Sequence, residues 1–155
     1  MTEPKSSSRF TKPSNAVAPP LIGALLRMPW ETVQRSMLEH LHERGFDDLD
    51  AAHLTVFQYP GPEGARPSEL ADQLRMSKQA LGYLLGQLEQ LGYLERRPDR
   101  DDQRGKRIVL TRRGKRVISA IRDAVREIEG VWSQRLGRER FEQLRELLIE
   151  LNRPA

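Results

Sequence analysis

The chain has 155 residues, 37% hydrophobic and 31% charged, with 26 Lys or Arg against 22 Asp or Glu and no cysteine. That length suffices for one domain with its own core, or for one lobe with an oligomerisation appendage, and the missing cysteines exclude disulfides, thiolate metal sites and thiol redox sensing. The formal net charge is +4, yet residues 96–116 hold ten Lys or Arg and three Asp, a local +7 that leaves about −3 for the rest.

Residues 1–20 contain Ser6-Ser7-Ser8 and four prolines with almost no bulky apolar side chains. Such a stretch buries too little surface to offset its ordering entropy, which predicts a flexible arm. The apolar run Leu21–Leu26 is too short to cross a bilayer and is followed by Arg27. It also lacks the signal-peptide order of charged start, apolar core and small-residue cleavage site. A cytoplasmic location without membrane contact is expected.

Between 21 and 44, Ile22, Leu26, Trp30, Val33, Met37 and Leu41 recur at helical spacing. Pro29 either kinks that helix or opens a restarted one, and Gly45 is a natural stop. A second helix is expected from a cap at Asp50 to Tyr59, ended by Pro60-Gly61-Pro62. Pro67 opens a short helix to Leu74, with Glu69 favourably placed in its first turn. Arg75-Met76 form a turn, and Ser77 caps a longer helix with Leu81, Leu84, Leu85, Leu88 and Leu91 on one face. Gly92 ends it. Two strands are predicted, 93–97 and 106–110, around the polar loop 98–105. Thr111 then caps a long helix carrying Val117, Ile121, Val125, Ile128 and Trp132. After Gly137 a last helix presents Phe141, Leu144, Leu148 and Leu151 at a spacing suited to helix–helix packing.

Short helix, turn and longer helix make a helix-turn-helix pattern, whose second helix enters the major groove of duplex DNA. With its leucines facing the core, Lys78, Gln79, Gly82, Tyr83 and Gln87 fall on the other side. Gln79 suits adenine, and Lys78 suits guanine acceptors or phosphate. Tyr83 can donate to phosphate or pack on a thymine methyl group, and the helix N-terminus can bind phosphate oxygens. Gly82 and Gly86 each cost roughly 1 kcal/mol relative to alanine inside a helix. Two readings are open: Gly82 admits close approach of DNA, or both glycines permit tight packing against a neighbouring helix.

The hairpin offers Arg100 and Arg104 at its tip and Lys106 and Arg107 on its return strand. Asp102 can orient Arg104 through a bidentate pair, and inserted arginine suits a narrow minor groove. A solvated charged loop is the alternative. The concentration of positive charge beside a recognition helix is the footprint expected of a DNA binder.

The run Pro67-Ser68-Glu69-Leu70-Ala71, then Met76-Ser77, then Leu84 through Gly92-Tyr93-Leu94, resembles the MarR family of transcriptional regulators. So does Asp101-Asp102-Gln103-Arg104-Gly105-Lys106-Arg107, followed by Leu110-Thr111 and Gly114, with Asp-x-Arg at 102–104 matching the family's wing signature. The resemblance covers roughly residues 21–152 and is strongest at 64–116. It implies a mainly α fold with a small β-hairpin wing: a winged helix-turn-helix lobe over 60–111, and dimerisation helices over 21–59 and 112–152. It also implies a homodimer on a pseudo-palindromic operator, commonly repressing nearby genes and often released by a small anionic or phenolic ligand. The apolar residues of the terminal helices, Trp132, Phe141 and Leu148 among them, exceed what a small winged helix covers and support a dimer independently. Where many members have Ser or Thr before the first Pro, this chain has Arg66, which cannot accept a cap hydrogen bond but can reach phosphate.

The expected DNA contacts are therefore Ser68, Ser77, Lys78, Gln79, Gly82, Tyr83, Gln87, Arg100, Asp102, Arg104 and Lys106. An effector cleft would draw on Arg27, Trp30, His53, Phe57 and Tyr59, aromatic walls with a polar or cationic handle; plain core or surface packing is the alternative for each. His40 and His42 lie on different helix faces and make no local metal pair, although His53 could join one of them. No metal or cofactor is expected. No nucleophile with a base, phosphate-binding glycine loop or paired carboxylates in an apolar context suggests an enzyme. The competing functional classes are a sequence-tolerant nucleoid protein and a winged-helix interaction adaptor. A regulator should prefer its operator at least ~10³-fold over other duplexes.

Overall fold

The computed structural model describes residues 19–57, 64–99, 102 and 105–153. Along the chain run α1 (Ile22–Glu43), α2 (Ala51–Phe57), α3 (Pro67–Leu74), α4 (Lys78–Gln90), β1 (Leu94–Pro98), β2 (Lys106–Leu110), α5 (Arg112–Leu136) and α6 (Arg138–Leu151). This is the mainly helical winged helix-turn-helix expected. The expected arm up to residue 18, the end of α2 at Tyr59 and the breaker Pro60-Gly61-Pro62 lie outside the described residues.

Helix α1 continues through Pro29 rather than restarting there. Only its second half is covered: Met37, His40 and Leu41 are buried where α1 packs on α5. Leu21, Ile22, Leu25, Leu26, Met28 and Trp30, in and just before its first half, stay exposed. Asp50 caps α2 as anticipated, its Oδ1 accepting the N–H groups of Ala52 at 2.9 Å and His53 at 3.1 Å. Capping of α3 takes a different route from Ser or Thr. The Glu69 carboxylate reaches back to accept the Arg66 N–H at 3.0 Å, so one orphan donor of the first turn is satisfied without a capping hydroxyl.

The core of the lobe is organised around Tyr93, which is fully buried. Phe57 meets its ring edge-on at 5.9 Å and Phe46 at 6.2 Å, while the Arg113 guanidinium lies 4.3 Å above its face. The Tyr93 hydroxyl donates to Asp48, whose other oxygen receives Arg113 at 2.8 Å. Burial foremost, then the hydrogen bond and charge of Asp48, push the phenol well above its ordinary pKa, with Arg113 opposing. Gly92 supplies the left-handed turn, φ 76°, that carries the chain from α4 into Tyr93. Strand β1 begins at Leu94, one residue later than predicted.

Strands β1 and β2 pair antiparallel, Leu94 opposite Leu110 and Pro98 opposite Lys106. A short third partner was not legible from the sequence: Ala65 exchanges two backbone hydrogen bonds with Ile108, at 3.0 and 2.8 Å. Thr111 caps α5 as expected, accepting from the Gly114 N–H at 3.1 Å.

Helix α6 needs one correction. Phe141, expected to need a partner chain, is already covered within this chain. Leu148 and Trp132 are half-buried. The uncovered apolar residues of α5 and α6 are Val131, Leu144, Leu147, Ile149 and Leu151. Of the predicted α6 seam, Leu144 and Leu151 are free as expected, Leu148 is half-covered, and only Phe141 is buried within the chain.

Candidate nucleic-acid interface

Ser77 accepts the Ala80 N–H at 3.1 Å and starts α4 with its N-terminus open to solvent. Leu81, Leu84, Leu85 and Leu88 are buried beneath it. Lys78, Gln79, Gly82 and Tyr83 are exposed on the opposite side, with Tyr83 at 68%. Ser68 and Ser77 are exposed as well. Gln87 departs from this group. It is half-buried, its amide facing His53 of α2 at 3.3 Å and Tyr83 at 3.2 Å.

The glycine question resolves on geometry. Among the described residues a Cβ built on Gly82 or Gly86 meets nothing within 4 Å, so tight packing against a neighbouring helix of this chain is not what these glycines serve. Gly82 instead opens a groove lined by Pro67, Ser68, Lys78, Leu81, Leu85 and Arg96. That groove crosses the starts of α3 and α4 and the base of the wing.

The wing is fastened to the helix-turn-helix at its root. Asp99 is buried, with Arg66 Nε at 2.5 Å and Arg107 Nη1 at 3.8 Å. Arg107 also donates to the Gly64 carbonyl at 2.8 Å. The hydrogen bond to Asp99 and its charge hold the Arg66 guanidinium above its ordinary pKa. Arg66, which the sequence left available for phosphate, is thus committed to the wing root. Hydrophobicity alone gave no sign of this, because a carboxylate between two arginines in a charge-rich run reads as surface.

The local +7 is partly compensated from outside its own segment. Arg96 pairs with Glu89 at 3.0 Å, Arg97 with Glu95, and Arg113 with Asp48 at 2.8 Å. Lys106, Arg112, Lys115 and Arg116 are exposed. Asp102 is exposed, and its carbonyl accepts the Gly105 N–H at 2.9 Å in the turn of the wing. Arg100 and Arg104, expected at the wing tip, lie outside the described residues.

Residues 48–105, which take in the whole helix-turn-helix and most of the wing, match the model of the MarR family. Over that segment the chain is similar to the MarR family, and its fold is a winged helix-turn-helix. Solved structures extend the likeness of fold to the flanking helices. The transcriptional regulator Tm0710 from Thermotoga maritima is 28% identical, with a TM-score of 0.59 over 84% of this chain and 90% of that one. Apo MarR from E. coli is 24% identical, with a TM-score of 0.69 over 87% and 98%. A MepR variant from S. aureus bound to an oligodeoxyribonucleotide is 22% identical, with a TM-score of 0.58 over 86% and 96%. Among curated proteins no sequence matches the chain.

The residues expected to form a MarR-type effector cleft are scattered in character. His53 and Phe57 are buried in the lobe core. Arg27 pairs with Glu31 at 3.6 Å on the exposed first half of α1, where Trp30 is 45% exposed. Tyr59 lies outside the described residues. His40 is buried with Nε2 lacking a hydrogen-bond partner among the described residues, and His42 turns the other way to meet the Leu49 carbonyl at 3.1 Å. Among the described residues no cluster of His, Asp or Glu could hold a metal ion, and no helix is long and apolar enough to cross a membrane.

Proposed function

We propose that the chain acts as a homodimeric, sequence-specific DNA-binding transcription regulator, a repressor at a pseudo-palindromic operator. The observation that carries this reading is the exposed face of α4. Lys78, Gln79, Gly82 and Tyr83 stand together at the open N-terminal half of a capped helix, beside a basic wing. Lys78 and Gln79 supply the hydrogen-bonding groups for direct major-groove readout, and Lys106 with the wing-tip arginines supplies phosphate and minor-groove attraction. The DNA-bound MepR variant supports the same use of the fold.

Two-fold assembly is supported by the uncovered apolar surface. Ile22, Leu25, Leu26 and Trp30 of α1, with Leu144, Leu147, Ile149 and Leu151 of α6, are exposed in the single chain. A soluble monomer rarely leaves so much apolar surface on two of its helices. Pairing these ends sets two recognition helices about 34 Å apart, one turn of duplex. Release by a small anionic or aromatic ligand belongs to the same reading, with exposed Arg27 and Trp30 its most accessible groups.

Selection of bound duplexes from a random pool tests the proposal. Enrichment of a two-fold-symmetric site with half-sites about one helical turn apart is the expected result. Salt-sensitive binding to every duplex alike would replace the regulator with a nucleoid-type protein, and no duplex binding would favour an interaction adaptor.

A further inference from the structure

A continuous hydrogen-bonded chain runs from the start of α2, through the lobe core, to the exposed face of α4. The Asp50 N–H donates to His53 Nδ1 at 3.2 Å. His53 Nε2 lies 3.3 Å from Gln87 Oε1, and Gln87 Nε2 donates to the Tyr83 hydroxyl oxygen at 3.2 Å. His53 is buried at 4% exposure and Tyr83 stands 68% exposed.

The first link fixes the polarity of all the others. A backbone N–H can only donate, so this contact favours Nδ1 as the bare ring nitrogen, with the proton on Nε2. Asp50 Oδ1 also lies 3.1 Å from Nδ1, but it already accepts the N–H groups of Ala52 and His53 as the cap of α2. Nε2–H therefore donates to Gln87 Oε1, which turns the Gln87 NH₂ towards Tyr83. With its oxygen accepting from Gln87, the Tyr83 hydroxyl has its own proton left to give, and it points from an exposed position on the DNA-reading face.

We propose that His53 is a positioning residue for DNA recognition: through Gln87 it presents Tyr83 to the duplex as a hydrogen-bond donor, seeking an acceptor oxygen or nitrogen on DNA. This rests on the DNA-binding reading above. Gln87 accordingly acts behind the interface, as its half-buried position requires, instead of touching a base. Acceptors of the required kind occur on phosphate and on base edges alike.

Two measurements decide it. The ¹⁵N resonances of His53 in the free protein report the tautomer without any DNA. The Nε2–H form is expected, and the Nδ1–H form would overturn the proposal by reversing every link. The second measurement is binding to the duplex that wild-type protein enriches. Tyr83→Phe should weaken it about threefold to tenfold, the range of one neutral hydrogen bond. His53→Leu should lose a similar factor alone and nothing further when combined with Tyr83→Phe. His53→Gln, whose amide can still donate to Gln87, should stay within about twofold of wild type. Equal losses from His53→Leu in both backgrounds would reduce His53 to a folding role and overturn the proposal. A loss from Tyr83→Phe spread evenly over variants of the duplex places the acceptor on phosphate, and one confined to a single base pair places it on a base edge. If wild type enriches no duplex, the regulator reading fails and the outward half of the proposal with it, while the tautomer still decides the inward half.

Discussion

Gly114 offers the sharpest test of the packing described above. It is the third residue of α5, where that helix starts against the chain leaving α4. A methyl group there would sit 2.2 Å from the Tyr93 carbonyl oxygen, 3.2 Å from its carbon and 3.1 Å from Leu110 Cδ2. Carbon and carbonyl oxygen settle no closer than about 3.3 Å, so the start of α5 would have to retreat by about 1 Å. The carbonyl is held against yielding, because it accepts the Thr111 N–H at 3.0 Å. Overpacking of this kind costs about 1–3 kcal/mol or somewhat more, offset by up to about 1 kcal/mol from the better helix propensity of alanine. Gly114→Ala should therefore destabilise the protein by about 2 kcal/mol, a fall in Tm of about 4–8 °C for a chain of this size. Gly86→Ala is the internal control: with nothing within 4 Å of its Cβ, it should gain about 1 kcal/mol. Thermal unfolding at one fixed protein concentration compares the three proteins. A Gly114→Ala protein as stable as wild type, alongside a stabilised Gly86→Ala, would refute the close approach of α5 to Tyr93.

Gly82→Ala should raise Tm by the same helix-propensity gain yet weaken duplex binding, since its methyl group would stand in the groove beside Lys78; titration of a fluorescent duplex separates the two effects. Tyr93→Phe should flatten the alkaline limb of stability. The folded phenol is held above the ordinary value of about 10, so its contribution is complete below that pH and is lost as pH rises further. Urea unfolding of both proteins between neutral pH and pH 11 shows whether the slope depends on Tyr93. Leu147→Glu, placing a charge on the uncovered face of α6, should turn a dimer into a monomer with unchanged helix content, as read by sedimentation velocity and circular dichroism. A Leu147→Glu protein that remains dimeric would move the interface elsewhere.

What the sequence made legible was whatever depends on near neighbours. Ser77, Thr111 and Asp50 announce helix starts because their side chains bond within the next three residues, and the leucine spacing of α4 is a property of one helix. The exposed Lys78, Gln79, Gly82 and Tyr83 follow from that spacing alone. The features it hid all depend on residues distant in sequence. Ala65 pairs with Ile108 across 43 positions without any alternating pattern around it. Gln87 sits at the edge of the exposed face, and only the location of His53 on α2 decides that it turns inward. Asp99 is one acid among many charges until Arg66 and Arg107 enclose it. On α6 the periodicity and most of the predicted face hold, with Leu144 and Leu151 exposed, but Phe141 is already covered within the chain.

The bridge at Ala65 and the arginine-enclosed Asp99 join the start of α3 to the wing root at three places, counting Arg107 on the Gly64 carbonyl. The root of the wing is consequently tied to the start of α3 and does not hang free beside α4. If the chain binds DNA as the proposed dimer, major-groove and wing contacts would engage or release together, and the adjustable variable would be the separation and tilt of one whole lobe against its twin. Control exerted through the distant α1 and α6 ends would act as a caliper on operator spacing. It also means that a new wing cannot be grafted onto this reading helix without bringing residues 64–66 along with it.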